Sequence, residues 1–214
     1  MNTIKTLYLG GTAEVIEKKS RFIATLKPVS SEAEAVAFIE ETKKKYWDAR
    51  HNCSAFTIGE NNETTRCSDD GEPSGTAGKP MLDVLLFNKV HNAAVVVTRY
   101  FGGVLLGTGG LVRAYQAAVR EGLNNSTVLE KKEGILYHIE TDYNGIGKIQ
   151  YILGKENINI LSTEFTENVS VEIMLPADKK TSVINQITEA TNGKTVLLPG
   201  KEGFYGIING ELVE

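Results

Sequence analysis

The residues that could bind or transform a ligand are concentrated between Asp69 and Tyr115, where eight of the chain's 21 glycines lie close to charged side chains. Glycine is expected where the backbone takes a positive φ or where another group approaches closely. Glycines ahead of a helix also leave free N–H groups at the positive end of its dipole. The stretch therefore predicts a surface that binds an anion. The candidate ligand-binding residues are Asp69, Asp70, Gly71, Glu72, Gly75, Thr76, Gly78, Lys79, Arg99, Tyr100, Gly102, Gly103, Gly107, Gly109, Gly110 and Arg113.

Neither common nucleotide-binding motif matches these glycines. A P-loop needs a glycine five residues before Gly78 and a hydroxyl residue after Lys79, but Pro73 and Pro80 stand there. The cluster at 107–110 lacks the third glycine of a dinucleotide-binding turn. An anion at the start of the helix predicted over 107–123 stays a hypothesis. The alternative is a glycine-rich connection that packs tightly against a neighbouring strand.

The acidic side chains Asp69, Asp70 and Glu72 offer a second kind of chemistry. They could hold Mg²⁺ or act as acid or base, or one of them could pair with Arg99, Lys79 or Arg50 inside a folded loop. No nucleophile with a neighbouring base accompanies them, so catalytic residues stay unassigned.

Thiol and imidazole groups give weak support to a metal site. His51, Cys53 and Cys67 are three zinc-ligand types, but no C-x-x-C or H-x-x-x-H spacing is present. A cysteine within a predicted strand, such as Cys53, is most often a small core residue. We therefore expect no metal and no cofactor.

Aromatic residues stand beside arginines in Arg99-Tyr100-Phe101 and Arg113-Ala114-Tyr115. The rings could stack on bases while the guanidinium groups bind phosphates. In the alternative interpretation, Phe101 covers the core and Arg99 pairs with an acidic loop residue. Both interpretations remain open from the sequence.

Composition limits the protein classes. The 214 residues suit two small domains, and 41% hydrophobic with 23% charged residues is ordinary for a globular protein. Residues 1–125 carry 15 basic against 14 acidic side chains, and residues 126–214 carry 8 against 13. A uniformly basic nucleic-acid-binding protein is disfavoured, whereas a local basic patch on the first half stays open. Without an apolar run of membrane-spanning length, a secretory signal or a disulfide framework, we expect a cytoplasmic protein that contacts no membrane.

The pattern of residues 1–125 predicts alternating strands and helices. Ser31 and Glu34 form a capping box ahead of a helix. The triplet Lys43–Lys45 then complements the negative end of that helix, as a solvated terminus rather than a nucleic-acid contact. The predicted elements are a hairpin of strands 12–17 and 21–27, a helix from 31 to about 46, strands 52–59 and 66–69, a helix 80–88, a buried strand 93–100 and a helix 107–123.

A second domain is predicted over residues 126–214, after a linker that starts at Asn124. Its elements are strand 134–141, helix 145–156, strands 159–166 and 169–175, helix 177–191 and strand 194–198. This βαββαβ order is the ferredoxin-like pattern.

Two segments carry a resemblance to a known family. Ser68–Leu82 and Val95–Tyr115 resemble the signature segments of the IMPACT/YigZ family, and Ser20–Phe22 and Ala49–Cys53 resemble its upstream segments. The resemblance covers residues 1–125. It implies an α+β fold in two domains: an N-terminal domain similar to the second domain of ribosomal protein S5, a mixed sheet with helices on one side, and a ferredoxin-like C-terminal domain.

The resemblance also implies a class of function. Eukaryotic members act in translational control, so we expect a non-catalytic regulatory factor that binds RNA, the ribosome or a translation protein through Asp69–Tyr115. The N-terminal fold is shared with small-molecule kinases, which makes an enzyme acting on a phosphorylated or nucleotide ligand the alternative. Those kinases use consecutive serines in the corresponding loop, whereas Gly102–Gly110 offers only the hydroxyl of Thr108.

Overall fold

A computed structural model describes residues 3–208 and 211–213, which form two compact units. The first is Ile4–Leu129 and the second consists mainly of Glu130–Glu214. None of the described helices is long and apolar enough to cross a membrane. The first half of the chain contains β1 (Thr3–Leu9), β2 (Thr12–Glu17), β3 (Ser20–Pro28), α1 (Glu32–Lys45), β4 (His51–Ile58), β5 (Thr64–Ser68), α2 (Gly78–Phe87), β6 (Val90–His91), β7 (Ala93–Tyr100) and α3 (Thr108–Asn124).

The main sheet of the first unit has the strand order β2-β3-β7-β4-β5. All four neighbouring pairs are antiparallel, and β1 separately pairs with β6 in parallel. The β2–β3 hairpin turns at Lys18 and Lys19, whose φ values are +45° and +68°. Positive φ at both central residues matches the right-handed twist of the flanking strands.

Helices cover both faces of this sheet. On one face α2 and α3 pack against Phe22, Val95 and Val97. On the other, Ala35 and Phe38 of α1 pack against the alternate β7 residues. The α+β class in two domains is confirmed, but two details differ from the prediction, since the five-stranded sheet is antiparallel and α1 lies opposite the other two helices. The reason is that β7 is apolar on both faces, and each face needs its own cover.

The second unit contains β8 (Thr127–Thr141), α4 (Ile146–Lys155), β9 (Ile160–Phe165), β10 (Val169–Pro176), α5 (Lys180–Ala190), β11 (Val196–Ile208) and β12 (Glu211–Val213). The four long strands pair antiparallel in the order β11-β8-β10-β9. Ile149, Leu153, Val183 and Ile187 of the two helices pack on the sheet. The βαββαβ prediction is confirmed, and the sheet order is that of a ferredoxin-like domain.

The main error of the sequence-based prediction lies at the start of this unit. Residues 127–133 were expected to be a linker but begin β8. Residues 130–133 are all charged, and Leu129 is the only buried residue among 127–133. The sequence therefore shows no alternation of apolar and polar residues that would indicate a strand here. Backbone pairing with β11, such as Tyr205 opposite Lys132, holds the segment independently of its side chains.

Candidate functional site

The N-terminus of α2 is already occupied by a carboxylate of the chain itself. Asp69 Oδ1 accepts hydrogen bonds from the backbone N–H groups of Ala77 at 3.0 Å and Gly78 at 2.8 Å, and Oδ2 accepts from Gly75 at 2.8 Å. Burial acts to raise the pKa of Asp69, but the three N–H groups together outweigh it and hold the pKa below its ordinary value. The backbone N–H groups at the start of α2 therefore bind a carboxylate of the chain itself, whereas the anion predicted at the start of the 107–123 helix stays a prediction.

Asp70 ties the same loop to the sheet and to α1. Its Oδ2 accepts from the backbone N–H of Asn52 at 2.7 Å, and its Oδ1 accepts from Lys43 Nζ at 2.9 Å. The φ of +43° at Asp70 makes the sharp turn that aims both oxygens inwards. Lys43 is therefore a structural partner rather than a solvated helix end.

Glu72 is the centre of a buried polar cluster. Its Oε1 accepts from Arg99 Nη1 at 2.7 Å and from the Tyr115 hydroxyl at 2.8 Å, and the side chains of Glu72 and Arg99 are only 3% and 8% exposed. The guanidinium lies 5.5 Å from the Phe22 ring and 5.6 Å from the Phe101 ring. Arg99 is thus a partner of the acidic loop, as the alternative interpretation of the sequence proposed.

The thiol of Cys53 also belongs to this buried polar cluster. Cys53 Sγ donates to the Asp69 carbonyl at 2.9 Å and lies 3.3 Å from the Tyr115 hydroxyl. Burial raises the pKa of Cys53 to about 12, and burial followed by the neighbouring Cys53 raises the pKa of Tyr115. Both groups stay protonated at neutral pH, so they serve as hydrogen-bond donors rather than as a nucleophile and its base.

The three acidic side chains of the predicted site therefore all have internal partners. In residues 3–208 and 211–213, no group of three or more His, Cys, Asp and Glu side chains is arranged to hold a metal ion. The enzyme alternative assigned Mg²⁺ to these carboxylates. It loses support because their oxygens are bound to backbone N–H groups, Lys43, Arg99 and Tyr115.

The loop from Phe101 to Gly107 is the open part of the predicted surface. Phe101 is 50% exposed and Leu105 is 82% exposed. Gly107, with φ +73°, precedes α3, and among the described residues no side chain caps this helix. Arg113 is exposed one turn into α3 and makes no ion pair within the described part of the chain. Free N–H groups, a guanidinium and apolar side chains thus share one loop and helix start.

Gly102 brings the β2–β3 hairpin against this loop. Its N–H donates to Ser20 Oγ at 3.1 Å, and a Cβ at this position would lie 2.0 Å from the Lys19 carbonyl carbon. Only glycine permits that approach. Lys18 and Lys19, both exposed, consequently stand beside the Phe101–Gly107 loop.

The remaining predicted residues divide between framework and surface. Thr76 is buried and donates to the Pro73 carbonyl, and Tyr100 donates to Asp48 Oδ1 at 2.8 Å while Arg21 lies over its ring. The exposed Lys79 pairs with Asp83 one turn along α2, which raises the pKa of the lysine. The glycines exposed at the surface are Gly71, Gly75, Gly103, Gly107 and Gly109, and those that are half-buried or buried are Gly78, Gly102 and Gly110.

Sequence reasoning missed Trp47, which is 82% exposed in the connection between α1 and β4. The signal for it was the position of the chain's only tryptophan, two residues after the triplet Lys43–Lys45 and three residues before Arg50.

Comparison with known proteins identifies the family. The profile of the Impact N-terminal domain matches residues 18–123, and that of a domain of unknown function, DUF1949, matches residues 139–194. The IMPACT family member YvyE of Bacillus subtilis is 44% identical over 196 residues, 92% of this chain and 90% of the relative. YigZ of Escherichia coli, also an IMPACT family member, is 37% identical over 86% of this chain and 92% of its own.

A solved crystal structure of a hypothetical protein shares the architecture. It is 35% identical, covers 95% of this chain and 100% of its own, and gives a TM-score of 0.59. The resemblance noted in the sequence is confirmed: this chain belongs to the IMPACT family.

Proposed function

We propose that this protein is a non-catalytic, translation-associated factor that binds RNA, free or within the ribosome, through the open part of the Asp69–Tyr115 surface. The observation that carries the proposal is the Phe101–Gly107 loop with its exposed apolar side chains, which contacts the hairpin of Lys18 and Lys19 through Gly102 and leads directly into the helix that carries Arg113. Apolar rings among unpaired cations are the pattern by which proteins contact nucleic acid.

The charge arrangement favours RNA over a protein partner. The carboxylates of Asp69 and Glu72 are held by internal donors, so these two groups present little free negative charge to a ligand. The cations near the loop, Lys18, Lys19 and Arg113, keep their free positive charge. A polyanion gains from such a surface by releasing its counterions, whatever its sequence. The translational context rests on the family resemblance, and the cytoplasmic location stays a prediction.

The test is co-sedimentation with ribosomes together with binding to a labelled RNA at several salt concentrations. Arg113→Glu is expected to weaken both, and the slope of log K against log salt should fall by about 0.7–0.9 for the lost phosphate contact. Arg120→Glu is the matched control, because Arg120 is also an exposed arginine and lies two turns further along α3. Arg99 is unsuitable for this test, since it is buried in the ion pair with Glu72.

Unchanged binding of a folded Arg113→Glu protein would contradict the proposal. Retained ribosome binding with no affinity for free RNA would instead favour a translation protein as the partner, the alternative that the sequence analysis left open.

A further inference from the structure

One face of the sheet in the second unit carries no helix. Both α4 and α5 pack on the side that contains Ile139, Val171 and Ile173. Successive side chains of a strand point to opposite faces, so the residues that alternate with these three project from the other side. There Glu172 is exposed, and the side chain of Glu140 is 46% exposed. The side without helices is therefore accessible to a partner at this end of the strands.

The strand register arranges eight side chains of this side in two rows, which together we call the open face. Residues directly opposite each other on paired strands project to the same side of a sheet. From β11 through β8 and β10 to β9, the first row is Val196, Glu140, Ser170 and Glu164, and the second row is Leu198, His138, Glu172 and Ser162. Neighbouring strands are spaced by about 4.8 Å, so each row is about 14 Å long.

The open face is acidic. Three of its eight side chains are glutamates, and none is a lysine or an arginine. Glu172 accepts a hydrogen bond from the Ser162 hydroxyl at 3.3 Å, but this donor is neutral and the carboxylate keeps its charge. His138 Nε2, which lies 3.4 Å from Glu140, belongs to the one side chain among the eight that can carry a positive charge. The open face thus presents a net negative charge to a partner.

Two apolar side chains lie at the β11 end of the rows. Val196 and Leu198 are 47% and 48% exposed, and they are neighbours on one face because they are two positions apart on the same strand. Covering them would remove apolar area from water, which is favourable. The first carboxylate is one strand away, since Glu140 on β8 lies directly opposite Val196. The open face therefore combines an apolar edge with a negatively charged centre.

From this arrangement we infer that the open face binds a protein segment that is rich in lysine or arginine and also carries apolar side chains. The cations of such a segment would pair with the three glutamates, and its apolar side chains would cover Val196 and Leu198. The inference goes beyond the proposed function, because it concerns a different unit and a different class of ligand.

The charge of the open face argues against two other occupants. A phosphate backbone would bring further negative charge to the three glutamates, so RNA is repelled here. A second copy of this chain that used the same face would bring the glutamates of both copies together, which is equally unfavourable. A basic segment gains from the charges that exclude these two.

The probe is a short labelled peptide that repeats the unit Lys-Leu-Lys-Ser, and its binding is followed by fluorescence anisotropy. The full chain should bind it saturably, and more weakly as salt is added. Glu164→Lys combined with Glu172→Lys should weaken binding about tenfold or more, because two attractive charges become repulsive. The combined Glu164→Gln and Glu172→Gln changes should have a smaller effect in the same direction.

Glu189→Lys is the matched control for charge. Glu189 is an exposed glutamate of the same unit, but it lies on α5, which packs on the opposite side of the sheet. This variant changes the net charge of the unit as one open-face substitution does, and it should leave the affinity unchanged within about twofold. Circular dichroism shows whether each variant is folded. If the lysine pair does not fold, the glutamine pair carries the test.

The apolar edge is tested separately with Leu198→Ser and a second peptide in which serine replaces every leucine. Leu198→Ser should weaken binding of the leucine-containing peptide about threefold or more, because less apolar area is removed from water. The same variant should bind the serine-only peptide as the wild type does. Equal effects on the two peptides would overturn the assignment of the apolar contact to the open face.

Three further outcomes would overturn the inference as a whole. The first is the absence of saturable binding of the lysine-containing peptides to the wild type. The second is a loss of affinity in Glu189→Lys as large as in the open-face variants, which would indicate attraction by net charge alone. The third is self-association of the wild type, measured by sedimentation velocity, that the open-face variants abolish, because a second copy would then be the occupant.

Discussion

Glu72 and Arg99 form a buried ion pair at 2.7 Å that joins the Asp69–Ala77 loop to the C-terminal end of the central strand β7. Tyr115 donates to the same carboxylate oxygen from α3. One carboxylate thus connects three elements whose positions decide the shape of the proposed interface. The pair is part of the framework beneath the surface, and three predictions follow from the framework.

Removing Arg99 should destabilise the protein strongly. In Arg99→Ala the Glu72 carboxylate keeps one donor, Tyr115, but loses its cation, and an unpaired buried charge costs about 3–5 kcal/mol. Urea unfolding measures this loss. The exposed Lys79–Asp83 pair on α2 is the control, and Lys79→Ala should change the free energy of unfolding by less than about 1 kcal/mol. Equal changes in the free energy of unfolding for the two variants would show that burial does not make the Glu72–Arg99 pair more important for stability.

Asp69→Asn should weaken the start of α2 and change how stability depends on pH. Loss of a helix cap typically costs about 1 kcal/mol. The folded pKa of Asp69 lies below its ordinary value, so its ionised form stabilises the native state fully above that value. The contribution disappears as the pH falls through the folded pKa.

The pH dependence should be measured as the free energy of unfolding between neutral pH and about pH 3. The wild type should lose stability more steeply than Asp69→Asn at the acidic end, because the variant has no proton to take up at this position. Asp83→Asn, at an exposed position on the same helix, is the control. Parallel curves for wild type and Asp69→Asn would contradict the proposed cap.

Gly102→Ala should cost about 1–3 kcal/mol, because its Cβ would overlap the backbone of Lys19 and Ser20 and push the hairpin away from the Phe101–Gly107 loop. Gly147→Ala is the contrasting variant: it lies in α4 with nothing within 4 Å of an added Cβ. There, alanine should stabilise the helix by up to about 1 kcal/mol. Thermal unfolding of the two proteins should shift in opposite directions, and a shift of the same sign would refute the close approach at Gly102.

Local signals predicted most elements of the fold. Ser31 caps α1 as its spacing indicated, with its hydroxyl accepting from the Glu34 N–H at 3.3 Å. The return bond from Glu34 reaches Ser30 instead of Ser31, a shift of one residue that no pattern specifies. The triplet Val95–Val97 predicted a fully buried strand, and β7 is buried along nearly its whole length.

The sequence limited the possible partners of the buried polar residues but could not decide among them. Glu72 and Arg99 are separated by 27 positions, and the sequence equally allowed a pairing with Lys79. Asp69 caps a helix that begins nine residues later, outside the short spacing of ordinary capping motifs. Such contacts depend on how the β5–α2 loop folds back on the sheet, which is a property of tertiary structure.

Trp47 shows a different limit of prediction from sequence. Periodicity finds faces of helices and strands, and a single aromatic residue in a turn belongs to neither. Its exposure follows from the Tyr46–Ala49 turn and from the Tyr100–Asp48 hydrogen bond, neither of which has a sequence signature.

The buried Glu72 carboxylate also bears on the entropy of binding. A glycine-rich loop that was free in the unbound protein would lose about 1–2 kcal/mol of backbone entropy for each residue ordered by a ligand. Glu72, Asp69 and Asp70 fix the loop during folding, so that loss is already complete before any ligand arrives. A ligand that contacts the Asp69–Ala77 loop therefore meets backbone that is already ordered, and only the ligand loses conformational freedom there.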